Sequence, residues 1–94
     1  MGKIYKNQSV TRFTLDTEAD LTGATGYAIK YKKPDGTTTG QWTATCTDNR
    51  NIYYDFQATD LDQTGIWTFW AYVTFSGGGV PGEPVNIKVY DEGE

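Results

Sequence analysis

The chain has 94 residues, no histidine and a single cysteine, Cys46. Histidine is the side chain that most often acts as a general base and as a ligand for zinc, copper and iron, so its absence removes both roles. One cysteine can neither close an intrachain disulfide nor supply a thiolate metal cluster. Cys46 shares the strand parity of Trp42 and Ala44, and reads as a small buried hydrophobe that stays a thiol in a reducing compartment. Helix formers are scarce too: three Leu, six Ala and one Met stand against 15 Thr, the composition of strands and turns. No apolar run approaches the roughly 18–20 residues of a membrane-spanning helix. The first six residues, Met-Gly-Lys-Ile-Tyr-Lys, have no hydrophobic stretch like that of a secretory signal, so Met1 is expected to be the native start. Eight Lys and Arg against 12 Asp and Glu give a net charge of −4, which argues against general nucleic-acid or anionic-membrane binding.

What is abundant is aromatic: three Trp, seven Tyr and four Phe. A chain of this length forms one domain, residues 1–94, and a few large rings must supply much of its burial. Turn signals cut it into short segments. Lys3 to Lys6 is a short edge candidate. Val10 to Leu15 places Phe13 and Leu15 on one face. Thr25 to Lys33 alternates Tyr27, Ile29 and Tyr31 against Ala28, Lys30 and Lys32, the period of a half-buried strand. After Pro34-Asp35-Gly36, a turn in which proline presets φ and glycine accepts φ > 0, Gly40 to Thr47 turns Trp42, Ala44 and Cys46 one way. Asp48 to Asn51 makes a hairpin loop, and Ile52 to Gln57 points Ile52, Tyr54 and Phe56 inward. Ala58 to Gly65 is a polar crossover anchored by Leu61. Ile66 to Phe75 is the strongest strand, with Trp67, Phe69, Ala71, Val73 and Phe75 inward and Trp70 and Tyr72 outward. Ser76 to Gly79 reads as a flexible tip, and Pro84 to Tyr90 closes the domain with Val85, Ile87 and Val89 on one face. Residues 91–94 form an acidic tail expected to fray. About seven strands at this spacing predict an all-β, immunoglobulin-like antiparallel β-sandwich.

Asp62-Gln63-Thr64-Gly65-Ile66-Trp67-Thr68-Phe69 sits where such a sandwich crosses into its penultimate strand. There a tyrosine-corner arrangement is expected: Asp62 and Gly65 shape the corner, Trp67 fills the aromatic slot and Phe69 takes the place of a disulfide cysteine. A longer likeness runs through Asp20-Leu21-Thr22-Gly23-Ala24-Thr25, Ile29 to Thr37 and Ala58 to Trp67. Taken in order, these stretches resemble the immunoglobulin-like N-terminal domain of phage baseplate upper proteins and related phage virion structural proteins. The resemblance covers the chain from Tyr5 to the final strand. It implies a non-enzymatic structural module, made in the host cytoplasm and built in several copies into a virion. Its partners would be other virion proteins of the tail, baseplate, neck or capsid.

Tyr53, Trp70, Tyr72 and Tyr90 fall on the outward parity of three strands. Either loops cover them, or they form a partner-binding face together with the Gly77, Gly78 and Gly79 tip. Sugar stacking on Trp70 or Tyr72 is the alternative, and makes the chain a carbohydrate-binding adhesion module. Charge is unevenly spread: six basic and four acidic residues precede Asp48, and two basic and eight acidic follow from there. That split reads as solvated strand faces, or as surfaces that steer neighbouring subunits into register. Catalysis can be argued only from carboxylates: Asp60 and Asp62 share a loop with Asp55 nearby in sequence, and loop capping accounts for them better than a cleft does. Asp48-Asn49-Arg50-Asn51 reads as a turn before a Ca²⁺ site. Gly77-Gly78-Gly79 opens no helix, so it lacks the setting of a phosphate cradle. No cofactor and no metal is expected.

Overall fold

The computed structural model describes residues 4–9, 11–91 and 93. Lys3 and Val10, and residues 92 and 94 of the acidic tail, lie outside the described residues. Among the described residues nine strands follow one another: β1 (Ile4–Tyr5), β2 (Arg12–Asp16), β3 (Gly26–Lys32), β4 (Thr39–Thr43), β5 (Thr45–Thr47), β6 (Asn51–Asp55), β7 (Gly65–Phe75), β8 (Gly78–Pro81) and β9 (Val85–Tyr90). Among the described residues there is no helix. Six strands form one sheet in the order β1-β9-β7-β3-β4, with β8 pairing β7, and three form another in the order β2-β6-β5. The shortest dimension, 20 Å, fits two β layers packed roughly 10 Å apart.

Three features depart from an all-antiparallel arrangement of about seven strands, one of them being β8, which starts inside the expected 76–79 tip. β1 pairs parallel with β9, Ile4 opposite Val89, so the larger sheet is mixed. The segment expected as one strand, 40–47, is two: β4 pairs β3 in the large sheet and β5 pairs β6 in the small one. The chain switches sheets at Ala44, whose N–H still donates to the carbonyl of Tyr27 at 3.0 Å. This switch joins the two sheets along one side. The other side stays open between β2 and the 82–85 segment, where clefts of about 190 and 120 Å³ lie over Ala71 and Gly82.

The core is where strand alternation puts it. Ile29, Ile52, Leu61 and Trp67 are fully buried, and Phe13, Trp42, Phe56, Phe69, Val73 and Val89 join them. Rings bridge the two layers: Phe13 of β2 meets Phe69 of β7 at 4.9 Å, and Trp42 of β4 stacks on Tyr54 of β6 at 4.8 Å and 6°. Each buried chain of Phe or Ile size contributes roughly 1.5–3 kcal/mol, and well-oriented ring pairs add about 0.5–1.5 kcal/mol more. A Cβ on Gly40 would meet the hydroxyl end of the Tyr31 ring lying across it, so a larger residue there would have to displace that ring.

Candidate functional site

The corner before β7 is occupied by structural contacts. The Trp67 indole N–H donates to the carbonyl of Gln63 at 2.9 Å. Lys33 Nζ donates to both Asp62 oxygens, at 2.8 and 2.9 Å, and lies 5.7 Å from the centre of the Trp67 ring. Gly65 has φ +121°, and a Cβ on it would stand 2.9 Å from Pro34 Cβ. Pro34 belongs to the turn that Asp35 caps by accepting from the N–H groups of Thr37 and Thr38 and from the Thr38 hydroxyl. The Thr38 amide, then its hydroxyl, then the Thr37 amide hold the Asp35 carboxyl well below the usual range. Two of the segments that carry the phage resemblance therefore meet in space, as one knot of turns. Phe69 is 1% exposed and stacks on Trp67 at 5.8 Å.

Asp60 and Asp48 are also committed locally. Asp60 accepts from the Tyr54 hydroxyl and from the Gln57 N–H, both at 2.7 Å. Burial first, and then the Asp60 contact, push the Tyr54 phenol up to about 12. Asp48 accepts from the backbone and side-chain amides of Asn51. Among the described residues no three acids or thiols gather as a metal cluster would require.

The outward aromatics do not form one patch. Tyr53 lies on the outer face of the small sheet, opposite Thr14 and Thr45, with the Arg12 guanidinium 3.9 Å over its ring. That face is closed on itself: Arg12 binds Asp55 at 2.8 and 3.2 Å, and Arg50 binds Asp16 at 2.7 and 3.1 Å. Each guanidinium lowers its carboxylate partner. Trp70 and Tyr72 lie on the opposite side of the molecule, on the outer face of the large sheet. Tyr90 shares that face but at its far end, beside Tyr5 at 6.4 Å and under Lys88 Nζ at 4.8 Å. Tip residues Gly78 and Gly79 are not a mobile loop: the turn is Ser76 and Gly77, while Gly78 and Gly79 belong to β8 and pair with Phe75 and Thr74. Gly79 serves Tyr72, whose ring lies across the space a Cβ would fill.

The centre of the large sheet's outer face thus consists of Trp70, Tyr72 and the neighbours that register sets beside them. Lys30 of β3 stands opposite Trp70, with Gln41 of β4 beyond it. Lys30 Nζ sits 3.9 Å over the Tyr72 ring, a cation–π contact. Lys32 and Lys88 flank the patch, and no outward position of β3, β4, β7, β8 or β9 carries a carboxylate. Among the described residues Trp70 and Tyr72 make no ring–ring contact, and neither the Trp70 indole N–H nor the Tyr72 hydroxyl has a hydrogen-bond partner in the protein. Lys30 was visible in the sequence as part of a basic surplus. Its place beside Trp70 follows from the β3–β7 register, which the sequence does not display.

These features define an all-β domain with one self-paired face and one cationic aromatic face. No protein family, curated protein or solved structure matches the chain.

Proposed function

We propose that this chain is a non-enzymatic phage virion module, an immunoglobulin-like sandwich that docks onto a neighbouring virion protein through the Trp70–Tyr72–Lys30 face. The virion setting rests on the resemblance carried by residues 20–25, 29–37 and 58–67. The immunoglobulin-like reading is supported by the two packed β layers and by the corner in which Trp67 bonds back to Gln63. The observation that carries the docking face is the unused chemistry at its centre. Two large rings with unpaired polar ends and a lysine with no carboxylate partner lie together on the outer face of the large sheet. Tyrosine and tryptophan are enriched where protein interfaces form. Repetition by virion symmetry strengthens an individually weak contact.

Purified particles from the source of this sequence provide the test. Mass spectrometry and immunogold labelling are expected to find the chain in the particle, and a Trp70→Ala chain is expected to drop out while its urea-unfolding midpoint stays close to that of the native chain. Absence of the chain from purified particles overturns the virion assignment, and normal incorporation of Trp70→Ala overturns the docking face. A carbohydrate-binding adhesion role is the second reading, favoured by the neighbouring Trp70 and Tyr72 rings with the Gln41 amide close by. A glycan array that lights up with the native protein and not with Trp70→Ala moves the function to sugar. Silence from both removes that reading.

A further inference from the structure

Edge strands leave backbone groups unpaired, and proteins usually blunt them with charge, proline, bulges or short length. Most of the free edges here are blunted. β1 has two residues and β5 three, β8 contains Pro81, and β2 carries Arg12 and Asp16. β4 is the exception. Its five residues, Thr-Gly-Gln-Trp-Thr, include no charge and no proline, and it ends the six-stranded sheet. The uncharged stretch extends from Thr37 to Thr47.

The register states which groups are free. Lys33 N–H donates to Thr38 and Ala44 N–H to Tyr27, so residues 38, 40, 42 and 44 are the ones that face β3 with their backbone groups. Antiparallel alternation then aims the N–H and C=O of Thr39, Gln41 and Thr43 away from the sheet. None of the three has a hydrogen-bond partner among the described residues, and all three are exposed.

We propose that this edge pairs antiparallel with the β4 edge of a second copy of the chain, about a two-fold axis through Gln41. The set of free groups is self-complementary. Gln41 faces Gln41 of the second copy and exchanges two bonds with it. Thr39 faces Thr43 on either side, so all outward donors and acceptors of both edges are used. The neutral side chains bring no like charges together, whereas Lys30 and Lys32 lie one strand further in. An isologous, closed contact of this kind is the commonest symmetry of protein oligomers. The two-fold stands perpendicular to the sheet, so both Trp70–Tyr72–Lys30 patches emerge on one continuous surface. The inference goes beyond the docking face and does not depend on what that face binds.

Sedimentation equilibrium of the whole chain, from low micromolar to millimolar concentration, tests it together with amide hydrogen exchange. The native chain is expected to dimerise, with protection appearing at Thr39, Gln41 and Thr43 as concentration rises. Gln41→Pro removes one outward N–H per copy without touching the β3 ladder, and is expected to weaken the dimer roughly ten- to hundredfold. Gln41→Lys keeps the backbone donors and places two like charges on the axis, so it serves as the second variant should the proline substitution disturb the fold; it too is expected to give monomer. A native chain that stays monomeric throughout overturns the proposal. So does a dimer that Gln41→Lys leaves intact, or one whose protected amides lie elsewhere.

Discussion

Strand β7 carries two tryptophans three residues apart, and alternation sends them to opposite sides of the same sheet. Trp67 is fully buried, stacked on Phe69, and its indole N–H is bonded to Gln63. Trp70 is half-buried, stacks on no ring among the described residues and leaves its N–H unpaired. The same contrast holds between the two outer faces. On the small sheet each arginine is matched to an aspartate, and the third ion pair, Lys33 with Asp62, sits at the corner. On the large sheet Lys30, Lys32 and Lys88 have no such match among the described residues. Chemistry that is satisfied inside the molecule is doing structural work, and chemistry left open is available to a partner.

The largest break in that comparison would come from truncating the two tryptophans. Trp67→Ala removes the central ring of the core and is expected to cost about 3–5 kcal/mol in urea unfolding. Trp70→Ala is expected to cost about 1 kcal/mol or less and to act on partner binding instead. Similar losses from both would mean that the outer ring is structural and would dissolve the distinction. Gly65→Ala comes next. Its φ of +121° and the 2.9 Å approach to Pro34 leave the new methyl no room, and a loss of about 1–3 kcal/mol is expected. A neutral result would show that the corner relaxes without loosening Trp67.

Much of this was legible in the sequence because period two is a local signal. The inward positions Phe13, Ile29, Ile52, Trp67 and Phe69 follow from alternation alone, and Leu61 follows as the one large apolar residue of a polar crossover. The sheet switch at Ala44 was hidden for the same reason: Trp42, Ala44 and Cys46 keep one parity while their strands change partners, so the pattern continues unbroken across the break. β8 was missed because Gly78 and Gly79 have poor strand propensity. Its order comes from pairing with β7 and from the Tyr72 ring laid over Gly79. Parallel docking of β1 on β9 joins the two ends of the chain and leaves no local trace. The aromatic patch was half legible: parity marks Tyr53 and Trp70 alike as outward, but their strands lie in different sheets, so outward means opposite directions.

pH separates the two faces further. Asp16 and Asp55 are held low chiefly by Arg50 and Arg12, and Asp35 by the Thr38 amide. A carboxylate whose folded pKa is depressed contributes stability that is present above its ordinary value and lost as pH falls through the folded value. Stability is therefore expected to be flat from neutral pH down to about 5 and to decline below the ordinary value of 3.8. The decline should be read by amide exchange at β2 and β6, which Asp16 and Asp55 tie together, and at the β3–β4 turn that Asp35 caps. At the alkaline end the Tyr54 phenol, raised from 10 to about 12, favours the neutral form in the folded protein. Its contribution is complete below pH 10 and lost as pH climbs towards 12. Absorbance titration near 295 nm should show Tyr54 ionising late, with Tyr27 also raised by burial and by Cys46, and Asp60→Asn should bring Tyr54 earlier. Protection at β2, β6 and the β3–β4 turn that does not fall in acid would remove these carboxylates from the stability of the fold.

The smallest effect expected is also the most local. Gly79 lies beneath Tyr72, and a methyl group there would collide with the ring rather than with backbone, so the ring can swing aside at little cost. Gly79→Ala is expected to change stability by about 0.5 kcal/mol or less and to move Tyr72 off its position under Lys30 Nζ. Protons on the Lys30 side chain feel the ring current of Tyr72, so their shielded NMR shifts should return towards ordinary lysine values in the variant. The indole resonance of Trp67, on the other side of the sheet, should not move. A shift at Trp67 with Lys30 unchanged would mean that the ring is held from the core side. The patch beside Trp70 would then not be a surface that β8 helps to shape.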